Sequence, residues 1–290
     1  MKKIALLLVA CLVFLGTSAQ SPNAYKIFRS SSESISFNEM VNELALTDIA
    51  LFGELHDNPI AHWLQIELCH RLNNKEKGLV LGAEMFETDN QLILDEYLTG
   101  LISQRRFEGE ARLWNNYKTD YKPLVEFARE NSIPFIATNI PRRYASMVAS
   151  GGFEALDSLT AEAKKYIAPL PVEYNPALPG YQDMLSMMGM PGKASSKSEN
   201  FPKAQAIKDA TMAWSIANNY EEGKLFIHFH GTYHSNNYEG IVWYLNRYKP
   251  NVAQKTIATV LQATTNELSE DNKNLADYII VVPERMTRTY

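Results

Sequence analysis

Two acidic side chains and a set of imidazoles fall where the chain could bring them together for chemistry. Glu54 and His56 stand in Gly53-Glu54-Leu55-His56-Asp57-Asn58-Pro59, Glu84 opens Glu84-Met85-Phe86-Glu87, and His230 and His234 frame Gly231-Thr232-Tyr233. Each group directly follows a short apolar run. Carboxylates with imidazoles suit two chemistries. One is binding of a divalent transition metal with an open position for water or substrate, for which Glu54, His56, Glu84, His234 and His230 are the candidate ligands. The other is metal-free acid/base work by Glu54, His56, Glu84 and His234, carboxyl and imidazole groups of separated pKa. Spacing does not choose between them, because no H-E-x-x-H pattern occurs.

Each residue also has a plainer use. A Glu at the end of a buried strand can cap the next helix or pair with an Arg. His228 lies inside an apolar run and reads as a hydrogen-bonded core imidazole. His62 and His70 fall on the segment after Pro59 and read as packed or solvent-facing. His234 is the stronger candidate, because Gly231 permits a tight turn that aims it back. Asp209 lies beside an alanine stripe (Ala206, Ala210, Ala213, Ala217) and needs a partner if buried, for which Arg142 or Arg143 is the expectation.

The elements that must position these groups are legible as apolar runs. Ile49–Phe52, Leu79–Ala83, Ile133–Thr138, Leu225–Phe229, Thr256–Leu261 and Tyr278–Val282 are continuously apolar, as in strands covered on both faces, and Tyr25–Phe28 is a weaker seventh. Helical patterns separate them: Ser36 to about Leu46, opened by the capping box Ser36-Phe37-Asn38-Glu39, then Pro59–Leu72, Gln91–Leu98, Tyr121–Glu130 and Lys203–Tyr220. The alternation predicts an α/β fold, a mainly parallel central sheet with helices on both faces. If the strands are parallel, the ends carrying Glu54, Glu84, Arg142 and His234 share one rim, where active sites of doubly wound folds are assembled. The Pro- and Ser-rich stretch from about 151 to 200 reads as a helical and loop insertion over that rim rather than a separate domain.

Lys2 and Lys3, the apolar run Ile4–Gly16 and the small residues Thr17-Ser18-Ala19 read as a secretory signal peptide over residues 1–19, followed by a single α/β domain over 20–290. Leu8-Val9-Ala10-Cys11 matches a lipobox, but the apolar run continues past Cys11, which argues against a lipoprotein. The net charge of −5, and −7 without the two N-terminal lysines, with no basic run, makes a nucleic-acid partner a poor expectation. After cleavage Cys69 is the lone cysteine, which leaves no intramolecular disulfide and reads as a buried inert thiol.

The residues around Glu54, Glu84 and Gly231-Thr232-Tyr233-His234, with Gly240-Ile241, resemble the ChaN-like haem-binding family, part of a wider group that holds the TIKI metalloproteases and erythromycin esterases. Tyr121-Lys122-Pro123-Leu124, Ala137-Thr138-Asn139-Ile140-Pro141-Arg142 and Gln205 through Ala213 match as well, in order, so the resemblance covers about Tyr25 to Val282. It implies an α/β fold, an exported periplasmic or outer-membrane-associated protein, and a role in iron or haem acquisition with an outer-membrane uptake system. It further implies haem held by a tyrosinate between paired subunits, hence a homodimer, with Tyr117, Tyr121, Tyr144, Tyr181 and Tyr233 as candidate ligands and Arg142 as a further haem contact. The TIKI and esterase branches imply the rival reading, a metal-dependent hydrolase of peptides or esters using Glu54, His56, Glu84 and His234. The chain departs from the pattern in His230, directly before Gly231, and in the extra His228. Its Met-rich stretch Asp183–Met190 reads as a soft cover for a flat apolar ligand or as a core-filling helix.

Overall fold

The computed structural model describes residues 23–187 and 196–290. The proposed signal peptide and Cys11, and Met188–Met190 of the Met-rich stretch, lie outside the described residues. The chain opens with β1 (Lys26–Arg29), β2 (Ser34–Ile35), α1 (Phe37–Leu44), β3 (Ile49–Glu54), α2 (Pro59–Asn73) and β4 (Gly78–Glu87). It continues through α3 (Gln91–Leu98), α4 (Gln104–Glu110), a π-helical turn (Tyr117–Tyr121), α5 (Lys122–Glu130), β5 (Phe135–Asn139) and α6 (Arg142–Gly151). The last part holds α7 (Pro179–Met187), α8 (Ser196–Asn219), β6 (Lys224–Gly231), α9 (Ile241–Tyr248), β7 (Gln254–Gln262) and β8 (Tyr278–Pro283).

All eight strands form one sheet in the order β2-β1-β8-β7-β3-β6-β4-β5. The six strands from β8 to β5 are parallel, and β1 and β2 close one edge antiparallel. The chain builds outward from β3 to β4 and β5. It then returns to insert β6 between β3 and β4, and crosses to the other side of β3 for β7 and β8. This reversal sets β3, β6 and β4 side by side with their C-terminal ends on one rim.

Side-chain parity decides what each strand end carries to which layer. Ala50 and Phe52 of β3, with Leu81, Ile227 and Phe229, pack against Leu64, Leu68, Leu124 and Phe127 on one face. Ile49 and Leu51, with Val80 and Phe226, pack against Ile207, Ala210, Ala213, Ile216 and Leu245 on the other. Continuing the alternation, Glu54 emerges on the first face and Glu84 on the second. Ala206, Ala210 and Ala213 of the alanine stripe on α8 are buried and Ala217 is half-buried, as expected of a helix lying close on its neighbours.

Local signals account for most element ends. The Ser36/Glu39 capping box is formed, and Asn58 caps α2 by accepting from the N–H groups of Ile60 (3.1 Å) and Ala61 (3.0 Å), with Pro59 in the first turn. The strand expected from Ile133 begins at Phe135, because the Ile133 N–H bonds the Ala128 carbonyl (2.8 Å) and so still belongs to the close of α5. The helix expected from Tyr121 begins at Lys122, its place taken by the π-helical turn. The helix expected from Lys203 begins at Ser196 and runs through Pro202. Within the 151–200 stretch, α7 reaches the rim: the Gly180 N–H bonds Glu239 (2.7 Å), and Tyr181 bonds Asp209 on α8.

Candidate functional site

At the tip of β3 the Glu54 carboxylate is buried and surrounded by donors. One oxygen accepts from His56 Nδ1 (2.9 Å) and the Tyr121 hydroxyl (2.7 Å); the other accepts from Gln65 Nε2 (2.5 Å) and faces His62 Nδ1 at 3.4 Å. His62 Nε2 donates to the His56 carbonyl (3.1 Å), and Asn116 bridges that carbonyl (2.9 Å) to Asp120 (2.7 Å). Burial works against ionisation of Glu54, but hydrogen bonds and charge from His56 and His62 hold it at about 2. Burial likewise opposes charge on His62, and the Glu54 and Asp120 carboxylates outweigh it, pushing it up to about 9. Glu54 is therefore a fixed anion whose task is to orient: His56 must donate Nδ1–H to it, which leaves Nε2 directed elsewhere.

That direction is across the rim. A Cβ added at Gly231 would lie 2.7 Å from His56 Nε2 and 3.6 Å from the second oxygen of Glu84, so the two rim groups meet over a residue that has to lack a side chain. Gly231 has φ −61°, an ordinary value, so its role is close approach and not the tight turn expected of it. Glu84, buried on the opposite face, accepts from the Gly231 N–H (2.8 Å) and from His234 Nε2 (3.2 Å). His234 Nδ1 bonds Asp209, whose other oxygen accepts from Tyr181 (2.9 Å). Burial disfavours the His234 cation, yet the flanking Glu84 and Asp209 carboxylates push it up to about 10. Burial is also opposed at Glu84, where His234 and His56 hold the carboxyl well below the usual range. The Asp209 carboxyl is pushed up by burial, against the pull of His234.

Glu54, His56, Glu84 and His234 are thus brought together, with His56 as the link between two clusters on opposite faces of the sheet. Asp209 pairs with His234 and Tyr181, not with Arg142 or Arg143 as expected. Arg143 bonds Asp89 (2.6 Å) instead. His230 turns into the core, with Nδ1 against His228 (3.0 Å) and Nε2 against the Ser235 hydroxyl (2.8 Å), and burial lowers it to about 3. His228 is the core imidazole expected, bonded to Thr138 (2.7 Å). Among the described residues no three His, Cys, Asp or Glu side chains are grouped to hold a metal ion. The acids and imidazoles of the rim are instead committed to one another.

Sequence reading missed His62, Gln65, Asn116 and Asp120. A signal was present for the first two: on α2 they share the buried side with Ala61, Leu68 and Leu72, and polar residues at core positions need partners. Asn116 and Asp120 depend on the π-helical turn and left no comparable trace.

A cleft of about 640 Å³ opens at this rim, lined by His56, Glu84, Gln205, His234 and Tyr233, with Met184, Phe201 and Leu275 as apolar wall. Residues 40–245 match the model of the family described as "Haem-binding uptake, Tiki superfamily, ChaN". The chain belongs to this ChaN-like family. Among solved structures it is similar to ChaN of Campylobacter jejuni, described with cofacially bound haem, at TM-score 0.66 and 17% identity over 89% of this chain and 96% of that one. An erythromycin esterase in an open conformation is similar at TM-score 0.49 and 11% identity, covering 89% of this chain and 97% of the other. A Bacillus cereus protein reaches TM-score 0.49 and 12% identity over 90% of this chain and 95% of that one. No curated protein matches the sequence.

The five candidate tyrosines of this ChaN-like chain are not equivalent. Tyr121 and Tyr181 are buried and donate to Glu54 and Asp209, and burial pushes both phenols upward. Tyr117 is buried with its hydroxyl unpartnered, and burial raises it too. Tyr144 is buried beneath the Arg143 guanidinium. Tyr233 alone among these candidates is exposed, at 74%, and it lines the cleft beside His234. Arg142 lies outside this cleft and lines a neighbouring one.

Proposed function

We propose that the chain is an exported protein that binds haem, or a related iron species, in the rim cleft and serves iron or haem acquisition. Family membership sets the class of ligand. The observation that carries the assignment to this cleft is Tyr233, an exposed phenol on an open, partly apolar wall of a size that suits a flat cofactor. Bound haem would supply a redox-active iron centre, and Tyr233 is the residue that would hold it. The chain's own residues do the rest. Met184, Phe201 and Leu275 offer apolar contact, and His56 and the His234 cation place donors near Tyr233. Glu84 and Asp209 hold His234 in position and protonated. A homodimer facing haem to haem and an outer-membrane uptake partner complete this reading. Haemin titrated into the protein is expected to give a saturable Soret band, and cell fractionation is expected to recover the protein outside the cytoplasm. A Soret absorbance that rises linearly without saturation contradicts haem binding.

A second reading has one observation in its favour. His56 donates Nδ1–H to the fixed Glu54 anion and keeps Nε2 beside Glu84 at the cleft wall. That is an oriented imidazole next to a second carboxylate, an arrangement able to take a proton from water. Metal-free hydrolysis of an ester or peptide then falls to His56, with the His234 cation stabilising developing negative charge. Turnover of ester or peptide substrates that is lost in His56→Ala while haem binding persists would separate this activity from the first.

A further inference from the structure

Beside the rim cleft lies a second cleft of about 530 Å³, reached past Glu84 and Lys208, which line both. Its floor includes Trp114, whose indole stands edge-on to His56 at 4.9 Å between ring centroids. Its charges are unequal. Glu84 is committed to His234 and Gly231, and Glu87 to Arg112 (2.9 Å). Arg142 and Lys208 have neither an ion pair nor a side-chain hydrogen bond among the described residues. In a chain with more acids than bases, two basic side chains without carboxylates converge on one cavity.

Two further features belong to the same wall. Arg142 opens α6, a helix that begins at Pro141 with no side-chain cap, so its first N–H groups are open to an acceptor. Asn139, at the end of β5, is more than nine-tenths buried, and its amide oxygen has no hydrogen-bond partner. That oxygen is an acceptor and does not itself bind an anion. A half-turn of the same amide would present its NH2 group instead.

We propose that this second cleft binds the oxyanion of a small carboxylate- or phosphate-bearing molecule, held by Arg142 and Lys208 at the start of α6 and oriented by Asn139. Arg suits such a group because its planar guanidinium can donate two parallel bonds. The oxyanion has two possible sources. It is a free small molecule, or it is a carboxylate arm of a tetrapyrrole seated in the rim cleft, since the two clefts adjoin at Glu84 and Lys208.

The probe is inorganic phosphate, with succinate as the carboxylate counterpart, titrated into the protein by calorimetry. Saturable binding is expected for at least one of them, weakened about tenfold by Arg142→Ala and by Lys208→Ala. Asn139→Leu is expected to weaken binding while raising Tm, because it removes the unpartnered amide. No saturable binding of either anion, or binding unchanged in both cation variants, overturns the proposal. A fall in Tm with unchanged affinity in Asn139→Leu removes that residue from the site. Haemin and its dimethyl ester then identify the source. A propionate arm predicts competition between phosphate and haemin, with Arg142→Ala weakening haemin and not the ester. A free oxyanion predicts that phosphate and haemin bind together. The phosphate titration needs no haem, so its failure leaves the rim-cleft reading standing.

Discussion

Glu54 accepts hydrogen bonds from three side chains and faces the His62 cation, so its effect on stability is felt through its partners. Glu54→Gln strands a buried cation and is expected to lower unfolding free energy by about 3–5 kcal/mol, read by denaturant unfolding. The pH dependence follows with its signs. Glu54 is held at about 2, below its ordinary 4.5, so its contribution is complete above 4.5 and lost as pH falls toward 2. His62 and His234 are held at about 9 and 10, above the ordinary 6.5, so their contributions are complete below 6.5 and lost as pH rises through those values. Stability is therefore expected to be greatest between 4.5 and 6.5 and to fall on both sides. Unfolding free energies measured from pH 3 to 10 check this, and in Glu54→Gln the alkaline fall due to His62 should shrink. A curve flat from pH 6 to 10 would contradict the buried imidazolium ions.

Elements carry these residues with little slack. The Gly53 carbonyl accepts from Thr259 (2.8 Å), tying the β3 tip to β7, and a Cβ at Gly53 would sit 2.8 Å from the Thr232 backbone. Just beyond, Asn58 turns the chain into α2 and so sets where His62 and Gln65 meet Glu54. Asn58→Ala is expected to cost about 1 kcal/mol as a lost cap, and to disturb His56 and His62 in NMR titrations more than distant imidazoles. At this scale the sequence was largely readable. Continuous apolar runs marked the parallel strands, and the Ser36 and Asn58–Pro59 signals marked helix starts. What escaped was what no periodicity encodes. The π-helical turn delivers Tyr121 and Asp120 to the site, and the close of α5 absorbs Ile133. The Asp209 partner was misread because the sequence does not show which rim group reaches α8; in space Asp209 faces His234 and Tyr181. The two-face division of Glu54 and Glu84 follows from strand parity, but their meeting over Gly231 needs the β3-β6-β4 order, which only the long-range pairing supplies.

The whole molecule is an eight-stranded, mainly parallel sheet whose chain reversal gathers three strand ends, with α7 and α8 closing over them. A fold of this class limits the ligand less than the rim does. Here the rim pairs a rigid set of committed acids and imidazoles with one exposed phenol at an open cleft. The account therefore turns on Tyr233. The most direct measurement is haemin titration of wild type and Tyr233→Phe, following the Soret and charge-transfer bands. Wild type should saturate with the spectrum of a phenolate-ligated ferric haem. The Phe variant, which removes only an exposed hydroxyl, should lose that spectrum and bind at least about tenfold more weakly. Saturable binding with the same spectrum and affinity in both proteins would contradict the placement of haem at this rim.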